Sequence, residues 1–173
     1  AAIGYAQASG IPLEMGMIRN HYVGRTFIQP SQSMRDFSVR VKLNPVRSLL
    51  KGKRVVIVED SIIRGTTGRS RVQSLRRAGA AEVHMLVSCP PTCHACYYGI
   101  DFPSPKQLIA ANNSVAEIRD YLALDSLHYL SVEGLVKATG LPRDQFCLAC
   151  FTGEYPVTPD TNFTKESLAG CCG

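Results

Sequence analysis

Residues 55–58 form an uninterrupted apolar run, Val-Val-Ile-Val, in which every side chain is β-branched. Such a run predicts a strand buried on both faces, as found in parallel sheets. Two acids, Glu59 and Asp60, follow at once, and a short polar turn continues to Thr67. Residues 67–78 then have the pattern of a helix. Strand, acids, polar turn and helix therefore occur in immediate succession.

Strands and helices alternate along the rest of the chain as well. Further strands are predicted at residues 13–19, 81–88 and 127–130, and helices at residues 1–9, 108–110, 115–122 and 132–139. Ser114 and Glu117 have the spacing of a capping box, whereas residues 142–150 have the pattern of a loop. The alternation indicates one α/β domain with a mainly parallel sheet flanked by helices.

Length and composition restrict the class of protein. The chain has 173 residues, is 45% hydrophobic and has a mean hydropathy near zero, which is typical of a soluble globular domain. We expect no membrane association, because no apolar run approaches the roughly 20 residues of a membrane span. The first residues do not have the pattern of a signal peptide, so we expect a cytoplasmic protein.

The chain carries a formal net charge of +5 at pH 7, which suits an anionic ligand. The basic residues are dispersed and Trp is absent, so we do not expect nucleic acid as the partner. The succession of strand, acids, turn and helix is well suited to a phosphorylated sugar. Acids at the carboxyl end of a strand lie where open α/β sheets bind ligands. Backbone N–H groups of the turn and of the helix N-terminus attract a phosphate, and Gly65 allows close approach.

Residues 20–48 have no clean hydrophobic period and are rich in basic residues. A basic segment of this length within a domain is uncommon and is often functional. One interpretation is a solvated connector. The other is a lid that closes over a substrate with several phosphate charges.

The seven cysteines are many for a chain of this size, and their odd number argues against a pure disulfide framework. Cys147 and Cys150 have the spacing of a metal-ligand pair. Considered without further information, they could form a zinc site with Cys93, His94 or Cys96. Unligated buried thiols are the other interpretation.

Residues 55–67 resemble the signature of the type I phosphoribosyltransferases, which bind phosphoribosyl pyrophosphate (PRPP). Four further segments narrow the resemblance to the glutamine PRPP amidotransferases, a subset of which contain an iron–sulfur cluster. These segments are residues 22–32, 96–101, 130–135 and 147–156. The resemblance covers residues 1–156 as a phosphoribosyltransferase domain that includes the cysteine-containing segments. Residues 157–173 are predicted to be a flexible tail.

The resemblance implies an enzyme, a pentosyltransferase. Ammonia derived from glutamine would react with PRPP to give 5-phosphoribosylamine, glutamate and pyrophosphate, the first committed step of purine synthesis. It also implies feedback inhibition by purine nucleotides and a homotetramer. We expect the domain to be N-terminally incomplete, with a glutaminase domain preceding Ala1. Because Ala1 is not Cys, this chain alone would lack the glutaminase nucleophile.

The resemblance also assigns residues to the substrate. Glu59 and Asp60 would bind the ribose hydroxyls and Mg²⁺, although the family commonly has Asp where this chain has Glu59. Five residues of the turn would hold the 5′-phosphate: Ser61, Arg64, Gly65, Thr66 and Thr67. Thr66 or Thr67 would also cap the following helix. Arg25 and Lys42 are candidate cations of the lid near the pyrophosphate. No protein nucleophile is needed for the displacement.

Three thiols would be ligands of a [4Fe–4S] cluster by the same resemblance. They are Cys96, Cys147 and Cys150, with a fourth ligand expected upstream of Ala1. The cluster would be structural, since the displacement transfers no electron. We assign no role to the other four thiols, Cys89, Cys93, Cys171 and Cys172.

Two rival functions remain open at the level of sequence. One is a non-catalytic regulator that keeps the same fold and binds PRPP or a nucleotide. The other, less favoured, is a salvage transferase acting on a free base. The cysteine-containing segments and residues 130–135 favour the amidotransferase.

Overall fold

The computed structural model describes residues 1–19, 43–100 and 105–159. It contains two separate sheets. Strands β1 (Met17–Arg19) and β2 (Leu43–Pro45) form an antiparallel pair with Ile18 opposite Asn44. The other three strands are β3 (Arg54–Glu59), β4 (Glu82–Val87) and β5 (Ser126–Tyr129). They form a parallel sheet in the order β3-β4-β5.

Helices connect and flank these strands. Helix Thr66–Arg77 joins β3 to β4, and helix Val115–Leu122 precedes β5. The other α-helices are Ala2–Ser9, Arg47–Leu50, Ile109–Asn112, Val132–Thr139 and Ala149–Thr152, with 3₁₀ turns at Pro105–Gln107 and Arg143–Gln145. The sequence prediction of an α/β domain with a parallel sheet flanked by helices is confirmed.

The core lies between the parallel sheet and the two helices that cross it. On this face Met85 of β4 lies opposite Leu127 of β5, and both belong to the buried cluster to which the helices contribute. Val72 and Leu75 from helix Thr66–Arg77 are 0% and 2% exposed. Ile118 and Leu122 from helix Val115–Leu122 belong to the same cluster.

Parallel pairing places the carboxyl ends of three strands at one edge of the sheet. The pairing continues beyond the strands, since the backbone N–H of Ser88 donates to the carbonyl of Glu59 at 2.9 Å. Likewise, the N–H of Leu130 donates to the carbonyl of Val87 at 2.9 Å. The edge that open α/β sheets use for ligands is therefore held in a fixed register.

The sequence predictions of individual elements are confirmed with several corrections. The capping box of Ser114 and Glu117 is present, with the Ser114 N–H donating to the Glu117 carboxylate at 2.7 Å. The strand predicted at 13–19 is restricted to β1. The segment 20–48, in which no regular element was predicted, contains β2 and the start of helix Arg47–Leu50. These short elements depend on pairing between distant residues, which local pattern does not reveal.

The segment 142–150 also differs from the predicted loop. It contains the 3₁₀ turn Arg143–Gln145 and the beginning of helix Ala149–Thr152. Both elements are too short to give a hydrophobic period. Within the three described ranges, no helix has the length and hydropathy that crossing a membrane requires.

Asp125 joins helix Thr66–Arg77 to the sheet. Its Oδ2 accepts from the Val83 N–H at 2.6 Å and from Arg76 Nη2 at 2.6 Å. Arg76 also donates to the carbonyl of Ala81 at 3.0 Å. The hydrogen bond from Val83, together with the smaller effect of Arg76, holds the pKa of Asp125 below its ordinary value.

The substitution Asp125→Asn tests this link. Because the folded-state pKa is lowered, the contribution of Asp125 to stability is present above the unfolded pKa, about 4, and is lost as the pH falls through the folded value. We expect the melting temperature to fall by about 1–3 °C at pH 7, allowing for the partial exposure of the pair. Near pH 3 the difference should shrink. Circular dichroism melts at both pH values measure it, with the exposed Asp144→Asn as control. An equal difference at both pH values would contradict the assignment.

Candidate functional site

The turn after β3 lies at the edge of the sheet formed by the carboxyl ends of β3, β4 and β5, which is called the ligand edge below. It is held in place by contacts with the core. Ile62 is buried in the core at 5% exposed. The carbonyl of Ile63 accepts from the backbone N–H of Ile109 at 2.8 Å. Asp60 and Arg64, on either side of this anchor, are exposed. The turn therefore presents polar groups to solvent from a backbone that is fixed on its inner side.

Gly65 is the residue on which this turn closes. It occupies the N-cap of helix Thr66–Arg77 in the left-handed conformation, with φ +77°. A Cβ atom there would lie 2.9 Å from Ile109 Cδ1 and 3.1 Å from Tyr121 Cε1. The predicted capping by Thr66 or Thr67 is wrong, because the cap is Gly65 and makes no side-chain hydrogen bond. Both threonine side chains are exposed, and the first N–H groups of the helix lie beside them.

The two acids after the apolar run have different surroundings. Glu59 is 21% exposed and forms an ion pair with Nη1 of Arg71, a residue of the following helix that is 20% exposed. Asp60 is exposed and accepts a hydrogen bond from Ser61 Oγ at 3.1 Å. The adjacent carboxylates therefore do not form an equivalent pair.

Two arginines lie at this site, Arg64 within the turn and Arg69 in the helix that follows it, and each contacts a neighbouring side chain. Arg64 Nε donates to Gln107 Oε1 at 3.0 Å. The guanidinium of Arg69 lies 4.8 Å from the centre of the Tyr121 ring, in cation–π geometry. The two guanidinium groups and the N-terminus of the helix make the electrostatic potential at the turn positive, which favours binding of an anion.

The ends of β4 and β5 add Cys89 and Tyr129 to the same edge. Burial raises the pKa of Cys89 to about 11 and the pKa of Tyr129 to about 12. The charge of Asp60 contributes to the shift of Cys89, so the thiol lies near the ligand edge. Both groups are neutral at pH 7. The Tyr129 hydroxyl is buried and has no hydrogen-bond partner among the described residues.

The two cysteine-containing segments are in direct contact. The N–H groups of Cys93 and His94 both donate to the carbonyl of Cys150 at 3.0 Å. The Tyr155 hydroxyl donates to the carbonyl of Ala95 at 2.7 Å. Segments that are more than 50 residues apart in sequence are therefore joined at Cys150.

The thiols of Cys96 and Cys147 lie near that of Cys150. Burial raises the pKa of Cys150, and the charges of Cys96 and Cys147 raise it further. All five described cysteines are free. In residues 1–19, 43–100 and 105–159, no group of three His, Cys, Asp or Glu converges closely enough to hold a single metal ion. The thiols of Cys96 and Cys147 therefore lie in the neighbourhood of Cys150, but the three thiols do not meet at one point.

Sequence reasoning did not single out Arg71 or Tyr129. A signal for Arg71 was present, because it stands beside Val72 and four residues before Leu75, on the buried stripe of the helix. A charge in that stripe requires a buried partner. Tyr129 gave no signal, since aromatic residues are common in strands.

Several predicted residues lie outside the described residues. They are Arg25 and Lys42 of the lid, the segment 22–32, Asp101, Cys171 and Cys172. The assignments of Glu59, Asp60, Ser61, Arg64, Gly65, Thr66 and Thr67 to substrate stay predictions.

The structure has a parallel sheet, two acids at the carboxyl end of β3 and a polar turn that leads into a helix. Together these features define a phosphoribosyltransferase-like fold. The structure is similar to that of a PRPP amidotransferase from Bacillus subtilis, solved in complex with ADP and GMP, with a TM-score of 0.83 and 54% sequence identity. The match covers 94% of this chain and 37% of the B. subtilis chain. Another solved structure, described as the allosteric regulatory enzyme of purine biosynthesis, has a TM-score of 0.82, with 54% identity over 94% of this chain and 36% of its own.

Sequence comparison agrees with the structural one. The chain is 58% identical over 161 residues to an amidophosphoribosyltransferase of Synechocystis, covering 92% of this chain and 32% of the relative. It is 54% identical over 164 residues to that of Methanocaldococcus jannaschii, covering 95% and 34%. No protein-family model matches the chain. The chain is thus related to the amidophosphoribosyltransferases and spans about a third of the length of these curated relatives.

The backbone conformation and close packing of Gly65 predict that Gly65→Ala lowers the free energy of unfolding. Both the positive φ and the contacts with Ile109 and Tyr121 oppose a Cβ atom. We expect a loss of about 2–3 kcal/mol in the free energy of unfolding, measured by urea denaturation.

Gly140→Ala is the matched control. Gly140 has φ +70°, but nothing lies within 4 Å of the position that a Cβ atom would occupy there. Only the backbone cost of about 1 kcal/mol is expected for this variant. Equal losses for the two variants would show that the contacts at Gly65 contribute nothing.

Proposed function

We propose that this chain is the part of an amidophosphoribosyltransferase that binds PRPP and carries out the transfer to ammonia. The observation that carries the proposal is the anchored turn after β3. It combines exposed Asp60, the helix N-terminus at Thr66 and positive flanks in one place. The relationship to curated amidophosphoribosyltransferases over more than nine tenths of the chain supports this.

In the proposed complex the 5′-phosphate lies in the turn. Backbone N–H groups at the start of helix Thr66–Arg77 would donate to it, together with the hydroxyls of Ser61, Thr66 and Thr67. The ribose hydroxyls would face the carboxyl end of β3, where Glu59 and Asp60 lie. Magnesium would be held mainly by the pyrophosphate and one or two carboxylates, so a three-ligand protein site is not required.

The proposed reaction is displacement of pyrophosphate by ammonia at the anomeric carbon. The C–O bond to pyrophosphate breaks with its electron pair going to the pyrophosphate oxygen, and positive charge develops on the ribose. The nitrogen lone pair of ammonia forms the new C–N bond, and the resulting ammonium group loses one proton to solvent to give the amine. This chain would act by positioning the sugar and stabilising charge. Ammonia would be supplied by hydrolysis of glutamine elsewhere in the whole protein. Arg25 and Lys42 would approach the leaving pyrophosphate from the proposed lid.

The experiment measures PRPP binding by the whole protein that carries this chain, by calorimetry in the presence of Mg²⁺. Asp60→Asn should weaken binding about tenfold or more, because a charged hydrogen-bond acceptor and metal ligand is lost. Asp144→Asn, an exposed carboxylate in the 3₁₀ turn Arg143–Gln145, is the matched control and should bind as the wild type does. Absence of PRPP binding by the wild type would refute the proposal. Binding without release of pyrophosphate on adding ammonia would favour the non-catalytic regulator.

Purine nucleotides are proposed as inhibitors that compete for the same turn. A nucleoside monophosphate carries the 5′-phosphate and ribose hydroxyls that this site would recognise. The related B. subtilis enzyme is complexed with ADP and GMP in its solved structure, which supports the proposal without locating a site in this chain. A homotetramer is proposed from the family resemblance. A cytoplasmic setting is proposed from the pattern of the first residues, and free thiols at all five described cysteines suit a reducing compartment.

We also propose that Cys96, Cys147 and Cys150 hold an iron–sulfur cluster. The joining of the two segments at Cys150 supports it. A four-iron cluster presents its metal ions at separate corners, so its thiolates need not meet at one point. A fourth ligand would come from elsewhere in the protein. The cluster would join the two segments and take no part in the displacement.

Anaerobic purification of the whole protein tests the cluster. We expect iron and inorganic sulfide in about equal amounts, with visible thiolate-to-iron absorption, and loss of both in Cys147→Ser. Cys89→Ser is the matched control and should retain them. Ligands must be deprotonated, so binding should weaken as the pH falls below neutrality, more so because burial raises the pKa of Cys150. Protein free of iron and sulfide after anaerobic reconstitution would refute the cluster.

A further inference from the structure

Arg71 is a charged residue on the buried stripe of helix Thr66–Arg77. Its side chain is 20% exposed, while its neighbours Val72 and Leu75 are almost fully buried. Arginine is almost never placed in such surroundings unless it is paired. The position of Arg71 in this helix therefore requires a neighbouring group that balances its charge.

The partner of Arg71 is Glu59, the last residue of β3. The side chains of a helix lean toward its N-terminus, so Arg71 reaches back toward the turn and the carboxyl end of the strand. Glu59 lies on the core face of β3 with Val55 and Ile57, which pack against the buried cluster. The pair is thus directly beneath the ligand edge.

Among the described residues, contacts to the guanidinium of Arg71 are made through one of its sides. Arg71 Nη1 contacts Glu59 Oε2, whereas Arg71 Nε is buried and has no hydrogen-bond partner among the described residues. A guanidinium is positively charged at neutral pH, and its contact with the Glu59 carboxylate makes the pair as a whole close to neutral.

We propose that Arg71 is a positioning residue for the sugar site: it fixes the Glu59 carboxylate as a neutralised acceptor for a ribose hydroxyl and leaves Asp60 as the carboxylate that supplies negative charge to Mg²⁺. This inference rests on the proposed function. It is argued from the contrast between the two adjacent acids, since Asp60 is exposed and has only a neutral hydroxyl as its partner. Two consecutive carboxylates thereby acquire separate roles.

The principal test is Arg71→Met, which keeps a long side chain and removes the charge. Steady-state kinetics of the whole protein with ammonia would be measured at varied PRPP and varied Mg²⁺. We expect KM for PRPP to rise about tenfold, the loss expected for a misplaced charged acceptor. The Mg²⁺ concentration for half-maximal rate should fall about threefold, because Glu59 now adds an uncompensated charge near the metal. The change in kcat should be smaller than either.

Two further variants separate positioning from a structural role. Arg71→Lys retains the charge, so the dependence on Mg²⁺ should stay at the wild-type value; it also keeps the proposal testable if Arg71→Met does not fold. In the double variant Glu59→Gln with Arg71→Met, neither charge remains. Its Mg²⁺ dependence should return to the wild-type value while KM for PRPP stays raised.

The matched control is Arg77→Met, an exposed arginine at the end of the same helix. It should leave both parameters unchanged. Lowered thermal stability of Arg71→Met with unchanged KM and unchanged Mg²⁺ dependence would show a structural ion pair only and overturn the inference. If the wild type itself does not bind PRPP, the proposed function fails first, so the two failures are distinguishable.

Discussion

Parallel pairing of β3 with β4, and of β4 with β5, is the constraint on which the rest of this structure depends. Six residues of β3 are in register with six of β4, from Arg54 opposite Glu82 to Glu59 opposite Val87. Parallel strands necessarily end at the same edge, so the segments that follow them are brought together there. The hydrogen bond from Ser88 to the carbonyl of Glu59 extends this order by one residue. A polar turn, a thiol and a phenol thereby share one edge without being near in sequence.

The sequence revealed this architecture because its strands and long helices have strong local patterns. Residues 55–58 are apolar throughout and form a strand of a parallel sheet as predicted, and Ser114 with Glu117 marks a helix start by spacing alone. The predicted burial of this strand on both faces is wrong, because among the described residues β3 pairs with β4 alone and residues 55–58 are only partly buried. By contrast, β1 and β2 are three residues each, and their pairing joins Ile18 to Asn44 across a long separation. Nothing in a three-residue pattern indicates such a partner. Long-range pairing, which local propensity does not encode, accounts for these differences.

The candidate site divides in the same way. The residue pattern predicts that Asp60 and the turn follow the end of a strand. In the structure they follow β3, and a backbone hydrogen bond from Ile109 holds the turn in place. What sequence could not give is which neighbour each side chain has. Gly65 was interpreted as a point of approach for a ligand, whereas its inner side is filled by Ile109 and Tyr121. The pairing of Glu59 with Arg71 likewise depends on how the helix packs against the strand. Contacts of this kind follow from packing and are not visible in spacing.

A site that binds a polyanion through carboxylates must limit the electrostatic repulsion between those carboxylates and the ligand. Two free acids next to each other would attract Mg²⁺ strongly but would also oppose a substrate with several phosphate charges. Neutralising one acid with a guanidinium retains its oxygen atoms as hydrogen-bond acceptors while reducing that opposition. The guanidinium does not lose its proton near neutral pH, so the neutralisation persists across the physiological range. In the proposed site, the arrangement at the end of β3 would therefore separate geometric recognition of a sugar from the supply of charge to a metal, within two consecutive residues.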